Sequence, residues 1–185
     1  MSRRERERVA KTNAMRELER GHITYVAREL GEERDISRGL GLRMAREAGE
    51  DPQSQFKTLV CVAPSGGHVV CCIPVADELD LKKAAAAAGE KSLELLPVKD
   101  LESVTGYVRG GCTPVGMRRQ FPILIDETAQ LFDTIGISGG RRGLSLDLDP
   151  EGLAGFVGAT FADIVQGGDI CQRSEERRVG KECRS

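Results

Sequence analysis

The chain predicts an α/β fold: a mixed, mostly antiparallel sheet of about seven strands, surrounded by helices. Three observations carry this. Short apolar runs of strand length recur through the chain, among them Phe56 to Ala63, His68 to Val75 and Leu144 to Leu148. Stretches with helical periodicity lie between them. Hairpin signals alternate with longer crossovers, which argues against a purely parallel sheet.

Residues 5 to 20 read as an amphipathic helix, with Val9, Ala10, Ala14, Met15 and Leu18 on one face and Gly21 as its stop. His22 to Leu30 reads as a strand in which Ile23, Tyr25 and Ala27 alternate with polar residues. Ile36 to Ala48 fits a second helix, and Asp51-Pro52 marks a turn. Phe56 to Ala63 and His68 to Val75 form a hairpin around Pro64-Ser65-Gly66-Gly67. Asp80 to Ala88 is an alanine-rich helix, capped by Asp80 and ended by Gly89. Ser92 to Leu96 is a short strand, and Pro97 to Val104 a short helix with proline near its first turn. Phe121 to Ile125, Asp133 to Ile137 and Leu144 to Leu148 are strands. Pro150 to Phe156 and Phe161 to Val165 read as a closing helical region.

Residues 1–172 of the 185 are expected to form one domain. The last thirteen residues, from Arg173 to Ser185, have no core pattern, and their back-translation resembles a sequencing-library adapter. They are expected to be a disordered, non-native tail, with a natural charged tail as the alternative. Without the tail's five basic and three acidic residues, 22 basic and 26 acidic residues leave a net charge of −4. That balance speaks against broad, non-specific nucleic-acid binding. It still permits a local positive site among Lys57, Lys82, Lys83, Arg109, Arg118, Arg119, Arg141 and Arg142. Aromatic residues make up 4% of the chain and Trp is absent, which argues against a base-stacking platform. No apolar run reaches transmembrane length, and the charged start (Arg3 to Arg8) is no signal peptide. The six cysteines include no C-x-x-C pair, and Cys61, Cys71 and Cys72 sit in apolar strands as reduced core residues. No cofactor or metal is implied, no membrane contact is expected, and the cytoplasm is the expected compartment.

Two glycine-rich stretches offer backbone amides beside arginine: Gly106 to Pro114, and Ser138-Gly139-Gly140-Arg141-Arg142-Gly143. Glycine allows close approach of the main chain to a ligand, and successive free amides hold an oxygen anion. Gly110, Gly111, Gly139 and Gly140 are therefore candidate substrate-binding residues, with a tight turn as the ordinary alternative. Ser138 ends a strand, where its hydroxyl can donate to a substrate carbonyl. It lacks the elbow of a nucleophilic serine, and neither His22 nor His68 is close in sequence to serve as a base. Lys57 opens an apolar strand and is the candidate catalytic side chain; an edge lysine that discourages strand pairing is the alternative. Cys112 has no evident base and reads as filler, Asp126-Glu127 as a helix cap, and Tyr107 as core.

Together these segments resemble the YbaK family of aminoacyl-tRNA deacylases, related to the editing domain inserted in bacterial prolyl-tRNA synthetases. The resemblance rests on Lys11-Thr12-Asn13-Ala14, Phe56-Lys57-Thr58-Leu59, Leu79-Asp80-Leu81-Lys82-Lys83, Thr105 to Gly111 with Pro114 and Gly116, Phe121 to Asp126, and Ser138 to Leu144. It runs from about residue 11 to about residue 167 and implies a curved sheet. It implies hydrolysis of the ester of cysteine mischarged onto tRNA(Pro), with Lys57, Gly110 and Ser138 at the family's lysine, loop-glycine and serine positions. The acceptor end of an aminoacylated tRNA is the implied partner, and prolyl-tRNA synthetase a second one. The family is thought to let the substrate's own thiol attack its carbonyl, which suits a site without a triad. Two positions depart from the pattern: Leu30 stands where a tyrosine is usual, and Ser145 where an aspartate is, with Asp147 two residues on. A deacylase for another small amino acid, such as alanine on tRNA(Pro), and a non-catalytic module that binds tRNA or a synthetase are the alternative readings.

Overall fold

The structure is a computed structural model that describes residues 10–30, 40–47 and 49–167. Helix α1 (Asn13–Arg20) begins where the Thr12 hydroxyl accepts from the Met15 amide, and it buries Ala14, Met15 and Leu18. Of the helix expected over residues 5 to 20, the part from Asn13 on is helical and residues 10–12 are not; residues 5–9, like the 173–185 tail, lie outside the described residues. Strand β1 (Val26–Glu29) follows a turn in which His22 takes φ 57°, so His22 is a turn residue rather than a strand residue. Helix α2 (Leu40–Glu47) precedes the hairpin of β2 (Phe56–Val62) and β3 (His68–Pro74). Helix α3 (Leu81–Ala88) is capped by Asp80, whose carboxylate accepts from the Lys82 and Lys83 amides, and it ends at the left-handed Gly89.

Short strand β4 (Glu94–Leu95), helix α4 (Val98–Thr105) and the Gly110 loop lead to β5 (Ile123–Asp126). The Asp126 carboxylate caps the 3-10 turn Glu127–Leu131. Strands β6 (Ile135–Ser138) and β7 (Leu144–Leu148), helix α5 (Pro150–Val157) and strand β8 (Thr160–Ala162) complete the chain. The segment expected to close the fold as a helix is therefore a strand at its start. Phe161 pairs with Ile125, so a long-range partner, not local periodicity, decides its conformation.

The strands form two sheets rather than one sheet of about seven. A five-stranded sheet runs β4-β2-β3-β5-β8, and a three-stranded sheet runs β1-β7-β6. The smaller sheet is antiparallel throughout. In the larger one, β3-β5 and β5-β8 are parallel, because helices intervene along the chain. The sheets touch edge to edge through one parallel bridge, Gln55 to Gly136. A Cβ on Gly136 would stand 1.9 Å from the Gln55 side-chain oxygen, so glycine permits the approach. Beyond that bridge, the edge of β2 turns to β4 instead, and the continuous sheet is broken.

One apolar cluster fills the space between the sheets. It joins Phe56, Val60, Val70, Cys72, Ile123 and Ile125 to Ile135, Ile137, Leu144, Leu146 and Leu148, with α1 and α5 packed on it. A second cluster lies on the far face of the large sheet, where Cys61, Cys71 and Ile73 meet Ala84 and Ala85 of α3. Strict alternation along β2 feeds both clusters.

Candidate active site

Between the Gln55–Gly136 bridge and the Cys61–Leu95 pairing, β2 has no neighbouring strand on one edge. Ser54 O accepts from Gly136 N at 2.9 Å and Val60 O from Leu96 N at 2.8 Å, both across this edge. Main-chain groups alternate in direction along a strand, so Phe56 and Thr58 aim their N–H and C=O the same way. Among the described residues no strand pairs with them there. The gap is the floor of a cleft of about 810 Å³. Its walls come from both sheets and from the Gly110 loop, and Leu95, Leu96, Val98 and Leu101 supply an apolar side.

Lys57, Gly110 and Ser138 all line this cleft. The Lys57 ammonium donates to Asp77 O at 2.6 Å and Val75 O at 3.4 Å, carbonyls of the segment just after β3. Gly110 takes φ +86°, which a side chain disfavours, so glycine is needed at that bend. Ser138 sits at the end of β6, opposite Ser145 of β7, and its hydroxyl accepts from Gly140 N at 3.4 Å.

The remaining glycines do another job. Gly111 N donates to Val108 O at 3.0 Å and Gly139 N to Leu144 O at 2.8 Å. These two amides are taken up by their own turns and are not left free for an anion. Instead the glycines let the two loops touch. A Cβ on Gly111 would meet the Arg141 main chain at 3.1 Å, and one on Gly140 would meet the Tyr107 ring at 3.2 Å. Arg142 Nε donates to Arg109 O at 2.9 Å across the same contact. The loops therefore hold one another, and Gly110 and Ser138 both line the same hollow.

Of the expected cationic group, Arg109 lines the cleft with Lys57, whereas Lys83 pairs with Asp163 at 2.8 Å. Cys112 also lines the cleft, but it is 7% exposed and burial pushes its thiol up to about 12. The Tyr107 hydroxyl donates to Val115 O at 2.7 Å from within the core. Leu30 and Ser145, the two departures from the family pattern, both border the hollow.

Sequence reasoning missed Glu50, Gln55, Thr58 and Gly136, all of which line the cleft. Glu50 pairs with Arg28, which also reaches the Asp147 carboxylate at 2.5 Å. Burial raises both carboxyls above their ordinary range and their mutual repulsion adds to the Glu50 shift, while the Arg28 guanidinium opposes it. No sequence period marks Glu50, because β1-β7 pairing alone brings Arg28 and Asp147 beside it. Among the described residues, no group of three or more His, Cys, Asp or Glu is arranged to hold a metal ion. The hollow offers a cation, a serine hydroxyl and main-chain donors and acceptors, which suits the binding and polarisation of an activated ester.

The family model of the aminoacyl-tRNA editing domain matches residues 42–156. An Enterococcus faecalis protein, provisionally named Cys-tRNA(Pro)/Cys-tRNA(Cys) deacylase EbsC, is 42% identical over 161 residues, 84% of this chain and 93% of that one. A crystal structure described as a provisional trans-editing enzyme for prolyl tRNA synthetase superposes with a TM-score of 0.70 at 25% identity, over 84% of this chain and 96% of its own. The hypothetical protein APE2540 shares the fold, with a TM-score of 0.75 at 21% identity over 84% of this chain and the whole of its own. The matched segment holds Lys57, Gly110 and Ser138, and on this footing the chain belongs to the aminoacyl-tRNA editing domain family.

Proposed function

We propose that this protein hydrolyses the ester of cysteine mischarged onto tRNA(Pro), releasing free cysteine and uncharged tRNA. The observation that carries the reading is the convergence of Lys57, Gly110 and Ser138 on one cleft, in a chain 42% identical to the Enterococcus faecalis relative. An aminoacyl ester is already activated, so a strong protein nucleophile is not required, and positioning with electrostatic stabilisation supplies the acceleration. Lys57 binds the terminal ribose-phosphate or polarises the ester. Gly110 and Ser138 orient the aminoacyl group. The substrate thiolate attacks its own carbonyl carbon, the ribose oxygen leaves with a proton, and water opens the resulting thiolactone to free cysteine. The acceptor end of the tRNA enters along the open β2 edge, and the reaction belongs in the cytoplasm, where prolyl-tRNA synthetase makes the error and is the second proposed partner.

The test incubates purified protein with Cys-tRNA(Pro), Cys-tRNA(Cys), Ala-tRNA(Pro) and Pro-tRNA(Pro) and follows ester loss. Fast loss from Cys-tRNA(Pro) with Pro-tRNA(Pro) spared supports the proposal. Preference for Ala-tRNA(Pro) transfers the activity to the smaller substrate, and tRNA binding without ester loss overturns the hydrolase reading.

A further inference from the structure

Strand β4 leaves β2 early. The antiparallel register that pairs Cys61 with Leu95, carried on, would set Val98 opposite Thr58. Leu96 N still donates to Val60 O at 2.8 Å, but Pro97 follows and α4 starts at Val98. Proline has no N–H to give a ladder, and it suits the start of a helix, so the chain turns away. Among the described residues no strand takes up the outward N–H and C=O of Thr58. Main-chain polar groups on the floor of a partly apolar cleft call for a partner of their own.

The wall beside this edge is apolar and uncovered. Leu95 and Val98 are 53% and 57% exposed, although both are large hydrophobic side chains. With Leu96 and Leu101 they line one side of the cleft that Thr58 also lines. Lys57 and Arg109 line the same cleft and supply positive charge. A polar edge, an apolar face and cations together match a nucleotide, which carries a hydrogen-bonding base edge, a flat ring face and a phosphate.

We propose that the Thr58 main chain reads the 3′-terminal adenine of the tRNA, with the base lying against Leu95 and Val98. Adenine presents a donor at N6 beside an acceptor at N1. It can therefore take the ladder place that Val98 gives up: Thr58 N–H donates to N1, and N6 donates to Thr58 O. Guanine presents the reverse, an acceptor at O6 beside a donor at N1, and sets donor against donor. Contact with the wall removes apolar surface from water, and Arg109 offers charge to a phosphate of the acceptor strand. No aromatic platform is needed, because the strand edge and not stacking selects the base. The proposal rests on the deacylase reading, which brings the tRNA end to this cleft, and it assigns the seat of the base, not the bond-breaking step.

The test titrates the full chain with uncharged acceptor-stem microhelices of tRNA(Pro). They end in adenosine, guanosine or purine riboside, which lacks the N6 amine, and anisotropy and amide chemical shifts read the binding. The adenosine end is expected to bind at least about tenfold more tightly than the other two and to move the Thr58 amide. Thr58→Pro removes the outward N–H, which the β2-β3 pairing does not use, and is expected to bring the three ends together. Val98→Asp is expected to weaken all three. Equal affinities with the unmodified protein, no binding of any end, or a Thr58 amide that stays still overturns the seat. A Thr58 amide already protected from hydrogen exchange without RNA overturns it too, because a peptide segment then fills the edge. Should Thr58→Pro fail to fold, the three ends on the unmodified protein decide. Hydrolysis of cysteinyl-tRNA(Pro) separates the two readings: ester loss without preference for adenosine overturns the seat alone, and preference without ester loss overturns the deacylase alone.

Discussion

Lys57 illustrates how one side chain joins strand edge to cleft. Its ammonium is held by two carbonyls of the segment after β3, so its approach to a ligand is fixed by main chain and not by rotamer freedom. Lys57→Ala is expected to lower deacylation by roughly 10²-fold or more while circular dichroism stays native; retained activity overturns its role. Cys112 shows the opposite case, a reactive residue type placed where it cannot react. It borders the cleft, yet burial pushes its thiol up to about 12, leaving almost no thiolate at neutral pH. Iodoacetamide at pH 8 is expected to spare Cys112 in the native protein and modify it after denaturation, as peptide mass mapping will read. Cys72 behaves alike, also pushed up to about 12 by burial.

The two glycine loops act as a unit. The Gly111 and Arg141 main chains lie so close that a Cβ on Gly111 would stand 3.1 Å from the Arg141 backbone, and one of the two loops would have to give way to admit it. Gly111→Ala is expected to cost about 1–3 kcal/mol by overpacking and to lower kcat/KM, because Gly110 and Ser138 would separate. A urea titration beside the deacylation assay checks both effects. Local signals made several elements legible: the Asp80 cap and Gly89 stop bracket α3, and Pro64 to Gly67 marks the hairpin. Strand β8 was illegible because its conformation depends on Ile125, far away in sequence. Lys57, Gly110 and Ser138 stood out as residues of motifs. Glu50 did not, since its neighbours arrive only when β1 docks on β7.

Across the whole molecule, the buried acids set a pH dependence whose sign can be worked out. Burial raises the Asp147 carboxyl above its unfolded value, despite Arg28. The native state therefore holds that proton more tightly than the unfolded chain. The stability it adds is fully present below the unfolded value, near 3.9 for an aspartate, and is lost as pH rises through the higher folded value. The stability of the unmodified protein relative to Asp147→Asn should fall as pH climbs from the acid side toward neutrality. Urea midpoints measured at a series of pH values would show this, and a rising difference would contradict it.

The broken sheet has one last consequence. Among the described residues a single strand bridge joins its two plates, and each plate supplies part of the hollow. Catalytic competence thus belongs to the pair, and neither plate inherits it alone. A fragment spanning residues 49–130 would keep Lys57 and Gly110 but lose the facing wall of Gly136, Ser138 and Ser145. It should be inert toward aminoacyl-tRNA however well it holds its shape, and activity returning when the missing piece is added in trans would measure how firmly the plates clasp.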